Sequence, residues 1–358
     1  MPRVEYEDII SGTGRLNKDI FAKESDKTGI VFHKGDVLYG KLRPYLQNWL
    51  LPSFNGLAVG DFWVLQPQNA DSSFLYRLIQ SRQFDEVANQ STGTKMPRSD
   101  WKLVSKTEFF IPSAIGEQAA IGAYFEQLDN LITLHQRKYD KLTNVKKSML
   151  EKMFPKNGSN VPEIRFKGFS DAWEQRKVFE LAEKTYGGGT PATSNEAFWN
   201  GNIPWIQSSD ILDGKLFGVE PRKHITQEGL NNSATQLVPE NSIAIITRVG
   251  VGKLAFMPFS YTTSQDFLSL SKLNTEPFFT VYACYKKLQS ELNAVQGTSI
   301  KGITKDELLA KIIMVPKYAE QQKIGVFFKQ LDTLITLHQR ELEKLKNLKK
   351  ACLEKMFV

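Results

Sequence analysis

Cysteine and histidine are scarce in this sequence. Of its 358 residues two are cysteines, Cys284 and Cys352, and four are histidines. Two cysteines outside a C-x-x-C pair cannot form a disulfide framework, and four scattered histidines do not have the spacing of a zinc motif. The sequence therefore predicts no metal site.

Long apolar runs are also missing. No window reaches the roughly 18 apolar residues that a membrane-spanning helix needs, and the opening MPRVEYEDII lacks the basic and then apolar layout of a signal peptide. We therefore expect a cytoplasmic protein without a membrane partner. The apolar share of 41% and the charged share of 24% are ordinary for folded domains, which argues against a disordered chain.

Catalytic motifs are absent as well. GVGKL at 250–254 has neither the spacing nor the hydroxyl of a phosphate-binding loop. The sequence contains no N-P-P-[FY], H-E-x-x-H or G-x-S-x-G motif, and YGGGTP does not follow the G-x-G-x-x-G pattern of a dinucleotide loop. These absences predict a protein that is not an enzyme and that holds no cofactor.

An internal repeat organises what is present. The stretch EQLDNLITLHQRKYDKL at 126–142 returns as KQLDTLITLHQRELEKL at 329–345. About two thirds of the positions in 117–154 are identical to 320–357 without a gap. Each half of the chain is therefore predicted to be a globular module followed by a long helix.

The repeated segments have the apolar spacing of helices that pack along a seam. We predict an antiparallel coiled coil with pseudo-two-fold symmetry, in which the two histidines meet and fix the register. A parallel arrangement remains possible, because the module at 160–316 is long enough to return the chain. The seam positions, seven residues apart, are Ile121, Leu128, His135 and Leu142 in the first helix and Ile324, Leu331, His338 and Leu345 in the second.

The modules have the patterns of mixed structure. Short apolar runs such as SIAIIT, KLAFM and DFLSL, broken by Gly, Pro and Asn, predict strands joined by turns, and 277–293 predicts a helix. The fold class is therefore α+β, with two modules of mixed α/β structure. The predicted parts are the first module at 1–113, the first long helix at 117–154, the second module at 155–316 and the second long helix at 320–357.

These residues resemble a known family. The combination of GGTP at 188–191, WNGNIPWI at 199–206 and the E-Q-x-x-I…L-D-x-L-I helix is similar to that of the specificity subunits of type I restriction-modification enzymes. The resemblance covers essentially the whole chain. It implies two target recognition domains that each read half of a split double-stranded DNA site. It also implies two conserved helices that separate these domains and dock two methyltransferase subunits, with restriction and translocase subunits completing the complex.

The sequence departs from this family at its start. The repeat places Met1 opposite Trp205 or nearby, so the first module lacks a counterpart of about forty residues from 162 to 204. We therefore expect an N-terminally truncated subunit, whose first module leaves apolar surface uncovered and is the less stable half. An incomplete first module also weakens the expectation that it reads DNA.

Candidate DNA contacts are polar and basic side chains on predicted loops. Arginine reads guanine edges with two hydrogen bonds, hydroxyl and amide groups bind phosphates, and nearby glycines allow close approach of the backbone. The candidates are Lys41, Arg43, Lys95 and Arg98 in the first module, and Thr190, Ser208, Ser209, Arg248, Lys253, Gln265 and Lys301 in the second.

The net charge of +7 suits a polyanionic partner such as DNA. Runs such as KLKNLKK at 344–350 also explain much of it as solvated helix surface. Two alternatives to a DNA-reading subunit therefore stay open: a truncated or silent specificity cassette, and a coiled-coil scaffold that joins protein partners without reading DNA.

Overall fold

The computed structural model describes residues 1–22, 25–90, 95–156, 158–294 and 302–357. The chain divides into two compact units. Unit 1 contains Met1–Tyr139 and Leu337–Val358, and unit 2 contains Asp140–Thr336. Each unit therefore combines one globular module with a segment of each long helix.

Two helices dominate the part of the chain that the structure describes. They span 38 and 39 residues, and none of the described helices is long and apolar enough to cross a bilayer. A shorter helix confirms the prediction made for 277–293. The helices are α1 (Ser72–Leu78), α2 (Arg82–Ala88), α3 (Trp101–Val104), α4 (Ile115–Lys152), α5 (Gln227–Asn231), α6 (Pro277–Ala294), α7 (Lys305–Ala310) and α8 (Tyr318–Met356).

Unit 1 contains small sheets. Its strands are β1 (Arg3–Glu5), β2 (Ile9–Ile10), β3 (Arg15–Leu16), β4 (Ile30–Phe32), β5 (Val37–Gly40), β6 (Trp49–Leu50), β7 (Gly56–Val59) and β8 (Phe62–Leu65). The sheet orders are β1-β7-β4, β6-β5-β8 and β2-β3. All pairs are antiparallel except β1 with β7, which is parallel.

Unit 2 has a larger sheet. Its strands are β9 (Glu174–Lys177), β10 (Ala182–Gly187), β11 (Trp199–Ile206), β12 (Lys223–Ile225), β13 (Ser242–Ile246), β14 (Leu254–Met257), β15 (Thr262–Thr263), β16 (Phe267–Leu273) and β17 (Ile312–Val315). The sheet orders are β10-β16-β13-β14, β12-β11-β15 and β17-β9, with β11 and β15 parallel. Strands β13, β14 and β16 confirm the three predicted from apolar runs.

Each unit buries aromatic side chains where a short helix meets a long one. In unit 2, Phe279 of α6 stacks on Phe154, and Phe154 also contacts Phe328 of α8. In unit 1, Phe357 contacts Phe74 of α1 and Phe125 of α4. Phe125 and Phe328 are fully buried, so burial of these rings is a main source of stability at both junctions.

A buried glutamine joins each long helix to the start of a short one. In unit 1, Gln118 accepts a hydrogen bond from the Asp71 amide at 2.9 Å and donates to the Pro112 carbonyl at 2.7 Å. In unit 2, Gln321 accepts from the Glu276 amide and donates to the Pro316 carbonyl, both at 2.8 Å. The glutamine of the E-Q-x-x-I motif therefore fixes how each long helix begins.

A glycine one turn further along each long helix allows the short helix to pack closely. A Cβ atom on Gly122 would lie 1.8 Å from Ser73 Oγ and 2.6 Å from Ser73 Cβ. A Cβ atom on Gly325 would lie 2.3 Å from Glu276 Oε2 and 2.8 Å from the Phe279 amide nitrogen. Any larger residue at either position would therefore push the short helix away.

The segments of α4 and α8 run in opposite directions within each unit. In unit 1, Asp129 contacts Lys349 at 2.7 Å, while further along α4 His135 contacts His338. Residue numbers therefore rise along one helix as they fall along the other. In unit 2, Lys146 of α4 forms an ion pair with Asp332 of α8 at 2.5 Å.

One apolar stretch of unit 1 is uncovered. By the repeat, residues 108–111 correspond to β17, which pairs with β9 in unit 2. In unit 1 this stretch is not a strand and pairs with none of the described strands. Phe110 is 88% exposed and Ile111 is 47% exposed. Apolar surface is therefore open at this place in unit 1.

Candidate nucleic-acid interface

A glycine-rich loop of unit 2 lies against the segment that follows β15. The Gly189 amide donates to the Thr263 carbonyl at 2.9 Å, and a Cβ atom on Gly188 would lie 1.9 Å from the Ser264 carbonyl oxygen. This close approach brings two predicted residues together. Thr190 Oγ1 donates to Gln265 Oε1 at 2.7 Å, and both side chains are exposed.

Trp205 forms a hydrogen bond with the same glycine-rich loop. Its indole nitrogen donates to the Gly189 carbonyl at 3.0 Å, and the side chain is 4% exposed, so it belongs to the core of unit 2. Trp199 meets it edge to face at 5.2 Å. The ammonium group of Lys223 lies 5.6 and 5.8 Å from the two ring centroids, so a cation sits beside this aromatic pair.

Arg248 and Lys253 lie on the loop that joins β13 to β14. The loop is tight, because the Lys253 amide donates to the Gly250 carbonyl at 3.3 Å, and Gly250 and Gly252 have φ of +94° and +93°. Glycine adopts such angles without strain. Arg248 is exposed and Lys253 is half-buried. Lys301, the third cation predicted for this module's loops, lies outside the described residues.

Ser208 and Ser209 lie in a short 3₁₀ turn after β11. Asp210 stabilises this turn, because its carboxylate accepts from the Gln207 amide at 3.0 Å and lies 3.5 Å from Arg222 Nε. Ser208 is half-buried and Ser209 is exposed. The serine hydroxyls are therefore held on a fixed turn.

Unit 1 brings Lys41, Arg43 and Arg98 together. Two backbone hydrogen bonds connect their segments, from the Arg43 amide to the Pro97 carbonyl at 2.7 Å and from the Ser99 amide to the Lys41 carbonyl at 2.9 Å. Arg98 donates two hydrogen bonds to the Asp61 carboxylate, at 3.1 and 3.3 Å. Lys41 lies 3.9 Å from the same carboxylate.

This cluster is therefore already partly neutralised. Asp61 contacts two of the three cations in the cluster, and Lys95, the fourth candidate of this module, is exposed. Any DNA contact by Arg98 would have to compete with its two hydrogen bonds to Asp61.

The predicted seam residues are divided between the two units. Unit 1 contains Ile121, Leu128, His135, His338 and Leu345, and unit 2 contains Leu142, Ile324 and Leu331. Leu128, Ile324 and Leu331 are buried, and the other five are half-buried. Phe125 of α4 and Phe328 of α8, which neighbour these positions, are fully buried. Phe125 packs against α1 and Phe328 packs against α6, so neither lies along a strict two-helix seam.

Both halves of the chain match one family. The family described as "Type I restriction modification DNA specificity domain" covers residues 9–144 and 170–347, which is more than half of the chain. The chain belongs to this family. The specificity domain of this family therefore occurs twice in the chain. Each copy covers one module and most of the long helix that follows it.

Two relatives and one solved structure are similar to this specificity-domain protein. The MjaIX specificity subunit of Methanocaldococcus jannaschii is 27% identical over 180 residues, which are 49% of this chain and 41% of the relative. The EcoR124I/EcoR124II specificity subunit of Escherichia coli is 32% identical over 174 residues, which are 46% of this chain and 43% of the relative. The matches therefore span less than half the length of these relatives.

The structural likeness extends further than the sequence likeness. The crystal structure of the type I restriction-modification S subunit from M. genitalium superimposes with a TM-score of 0.64 at 14% identity, covering 100% of this chain and 88% of that one. At this identity the match establishes a shared fold.

The sequence did not single out several residues that hold helices and side chains together within each unit. Gln118 and Gln321 were recognised only as part of a motif, and neither Asp129 nor Asp332 was singled out as an ion-pair centre. The repeat held a signal for them, because all four are identical between the two copies although they are polar. Lys223 had no such signal, since its position depends on the packing of Trp199 and Trp205.

Proposed function

We propose that this chain is a sequence-specific DNA-recognition subunit of a type I restriction-modification enzyme. The observation that supports the proposal best is the match of one DNA specificity family to both halves, 9–144 and 170–347. Each module would read one half of a bipartite site. The chain would leave methylation and cleavage to partner subunits, and it would act in the cytoplasm.

In unit 2 the reading surface would consist of four loop segments. Thr190 and Gln265 hydrogen bond to each other on exposed positions, Ser209 lies on a rigid turn, and Arg248 extends from a tight loop. Such loops supply the donors that base edges and phosphates require. In unit 1 the corresponding contacts would come from Arg43, with Lys41 and Arg98 released in part from Asp61.

We propose that α4 and α8 form an antiparallel coiled coil and dock two methyltransferase subunits. The repeat supports this, since each copy of L-I-T-L-H-Q-R presents two leucines that are more than two fifths exposed. These are Leu131 and Leu134 in the first copy and Leu334 and Leu337 in the second. Identical apolar positions in the two copies suit two copies of one partner. We also propose the division of the chain into a first module at 1–113, a first long helix at 117–154, a second module at 155–316 and a second long helix at 320–357.

Methylation mapping tests the function as a whole. The chain would be expressed with its methyltransferase partner in a host free of other methylases, and methylated motifs would be compared with those of the methyltransferase alone. We expect a split motif that appears only when both are present. Methylation that is independent of this chain would favour the scaffold alternative, and so would absence of salt-sensitive duplex binding.

Replacing Arg248 by alanine is expected to relax one half of the recognition site. Loss of a two-hydrogen-bond contact to a base costs about 1–3 kcal/mol of discrimination, so the half-site read by unit 2 should accept additional bases at one position. The other half-site should keep its sequence. The measurement is the set of methylated motifs, together with competition binding to duplexes that differ at single positions.

Arg176→Ala is the matched control for this variant. Arg176 is a half-buried arginine of unit 2, and it lies on β9, which pairs with β17, rather than on one of these loop segments. Its guanidinium group is 2.9 Å from Glu174. We expect it to leave both half-sites unchanged. If Arg248→Ala relaxed base specificity equally in both half-sites, or if both variants had the same effect, Arg248 would not be part of the DNA-reading surface.

A further inference from the structure

Folding brings together two of the four histidines. His135 of α4 and His338 of α8 occupy the same position of the repeat, 203 residues apart, and both belong to unit 1. Their Nδ1 atoms are 3.2 Å apart. The ring centroids are separated by 5.1 Å with an angle of 67° between the planes, and both side chains are half-buried. The two nitrogens thus face each other at a partly solvent-accessible place.

We propose that the His135–His338 pair binds one divalent transition-metal ion through the two Nδ1 atoms. An imidazole nitrogen lies about 2.0–2.1 Å from Zn²⁺, and the ion prefers tetrahedral angles, so two ligating nitrogens are roughly 3.3 Å apart. The observed separation of 3.2 Å matches this distance. An ion could therefore enter with little movement of either helix.

Coordination sets the protonation that each ring needs. The ligating nitrogen of an imidazole must be unprotonated, so each ring would bind the ion through a bare Nδ1 and keep its proton on Nε2.

The donor set defines the class of ion. Imidazole nitrogen favours Zn²⁺, Ni²⁺ and Cu²⁺ over Mg²⁺ or Ca²⁺. No group of three or more His, Cys, Asp or Glu side chains is gathered at one place among the described residues, so water would complete the coordination. The positive charge of Lys138 near His338 opposes a cation, and the site should therefore be weaker than one with a carboxylate ligand.

Such an ion would cross-link α4 to α8 within unit 1. Because an unfolded chain does not hold the two histidines together, binding should favour the folded state and raise the midpoint of thermal unfolding as the ion concentration rises. The ion would have a structural role, since the DNA-reading residues proposed above do not include this pair.

Titration calorimetry tests the site on the full-length, untagged chain. Ni²⁺ and Zn²⁺, added separately at pH 7.5, should each bind with one ion per chain. His135→Asn and His338→Asn should each weaken binding by about tenfold or more, given that even indirect partners of a metal contribute that much. His224→Asn is the matched control, because His224 lies on β12 in unit 2 and should leave the affinity unchanged.

Copper spectroscopy provides a second test that needs no variant. Cu²⁺ binds such sites more tightly than Ni²⁺ or Zn²⁺, and its electron paramagnetic resonance spectrum in the unmodified protein should show two coupled imidazole nitrogens. A spectrum with one coupled nitrogen or none would overturn the proposal. So would a lack of saturable binding, or an affinity that is the same in the native chain and in folded variants of either histidine.

Discussion

Replacing Asp129 by alanine is expected to lower the free energy of unfolding by about 3–5 kcal/mol, the usual cost of breaking a buried ion pair. One carboxylate oxygen lies 2.6 Å from Arg77 and the other 2.7 Å from Lys349, and the two cationic side chains are only 6% and 18% exposed. Without Asp129, the buried Arg77 and the half-buried Lys349 would lose the carboxylate that they share. Urea unfolding followed by circular dichroism measures the effect.

The pH dependence of this variant provides an independent check. Burial lowers the pKa of Lys349, while Asp129 acts in the opposite direction, so removal of Asp129 should lower that pKa further. An unfolded lysine binds its proton up to about pH 10.4. Since the unfolded state then binds more protons than the folded state, stability rises with pH. The loss caused by Asp129→Ala should therefore shrink as the pH is raised from 7 towards 10.

Glu86→Ala is the control for this prediction. Glu86 also forms an ion pair with an arginine of unit 1, at 2.6 Å from Arg82, but the two side chains are 58% and 75% exposed. Surface pairs of this kind contribute little to stability, because water screens the two charges. Similar losses for Glu86→Ala and Asp129→Ala would contradict the view that burial of the charges determines the cost.

Replacing Gly122 by alanine should destabilise the protein by about 1–3 kcal/mol, although alanine is the better helix former. The propensity gain is about 1 kcal/mol, whereas the added carbon would overlap Ser73 of α1, at 1.8 Å from its Oγ and 3.0 Å from its backbone carbon. Since overpacking moves α1 away from α4, hydrogen exchange of the α1 amides should accelerate.

Gly116→Ala separates these two contributions. Gly116 belongs to the same helix, but a Cβ atom there would have no neighbour within 4 Å. The substitution should therefore be neutral or stabilising by up to about 1 kcal/mol. If Gly116→Ala and Gly122→Ala changed the free energy of unfolding in the same direction, helix propensity rather than contact with α1 would determine the result.

The long helices and the central strands of unit 2 could be predicted because their signals are local. Apolar spacing that no Gly or Pro interrupts after Gly122 and Gly325 marks α4 and α8, and β-branched runs between turn residues mark β13. The helix-to-helix contacts were less accessible. The sequence pattern favours a two-helix seam, whereas Phe125 and Phe328 are enclosed mainly by α1 and α6. No motif in the sequences of these two shorter helices indicates that pairing.

The sequence indicated which types of residue form the candidate site, but it did not indicate which side chains contact one another there. Residue type and nearby glycines suggested Arg248 and Lys253, and the structure places both on a tight loop. The sequence could not show that Asp61 holds Arg98 and lies near Lys41, because the ion pair with Arg98 spans 37 residues. It also could not show that Asp129 joins Arg77 and Lys349, which are 52 and 220 positions away. Contacts of that range depend on the completed fold.

The uncovered stretch at 108–111 bears on how the protein behaves in concentrated solution. Phe110 and Ile111 present apolar side chains beside backbone groups that pair with none of the described strands. An extended segment of that kind is a template to which a strand of another molecule can add. Glu108 at the start of the stretch and Lys106 two residues before it carry opposite charges, so their repulsion of an identical copy is small. Self-association through this segment should therefore grow with protein concentration and persist at high salt.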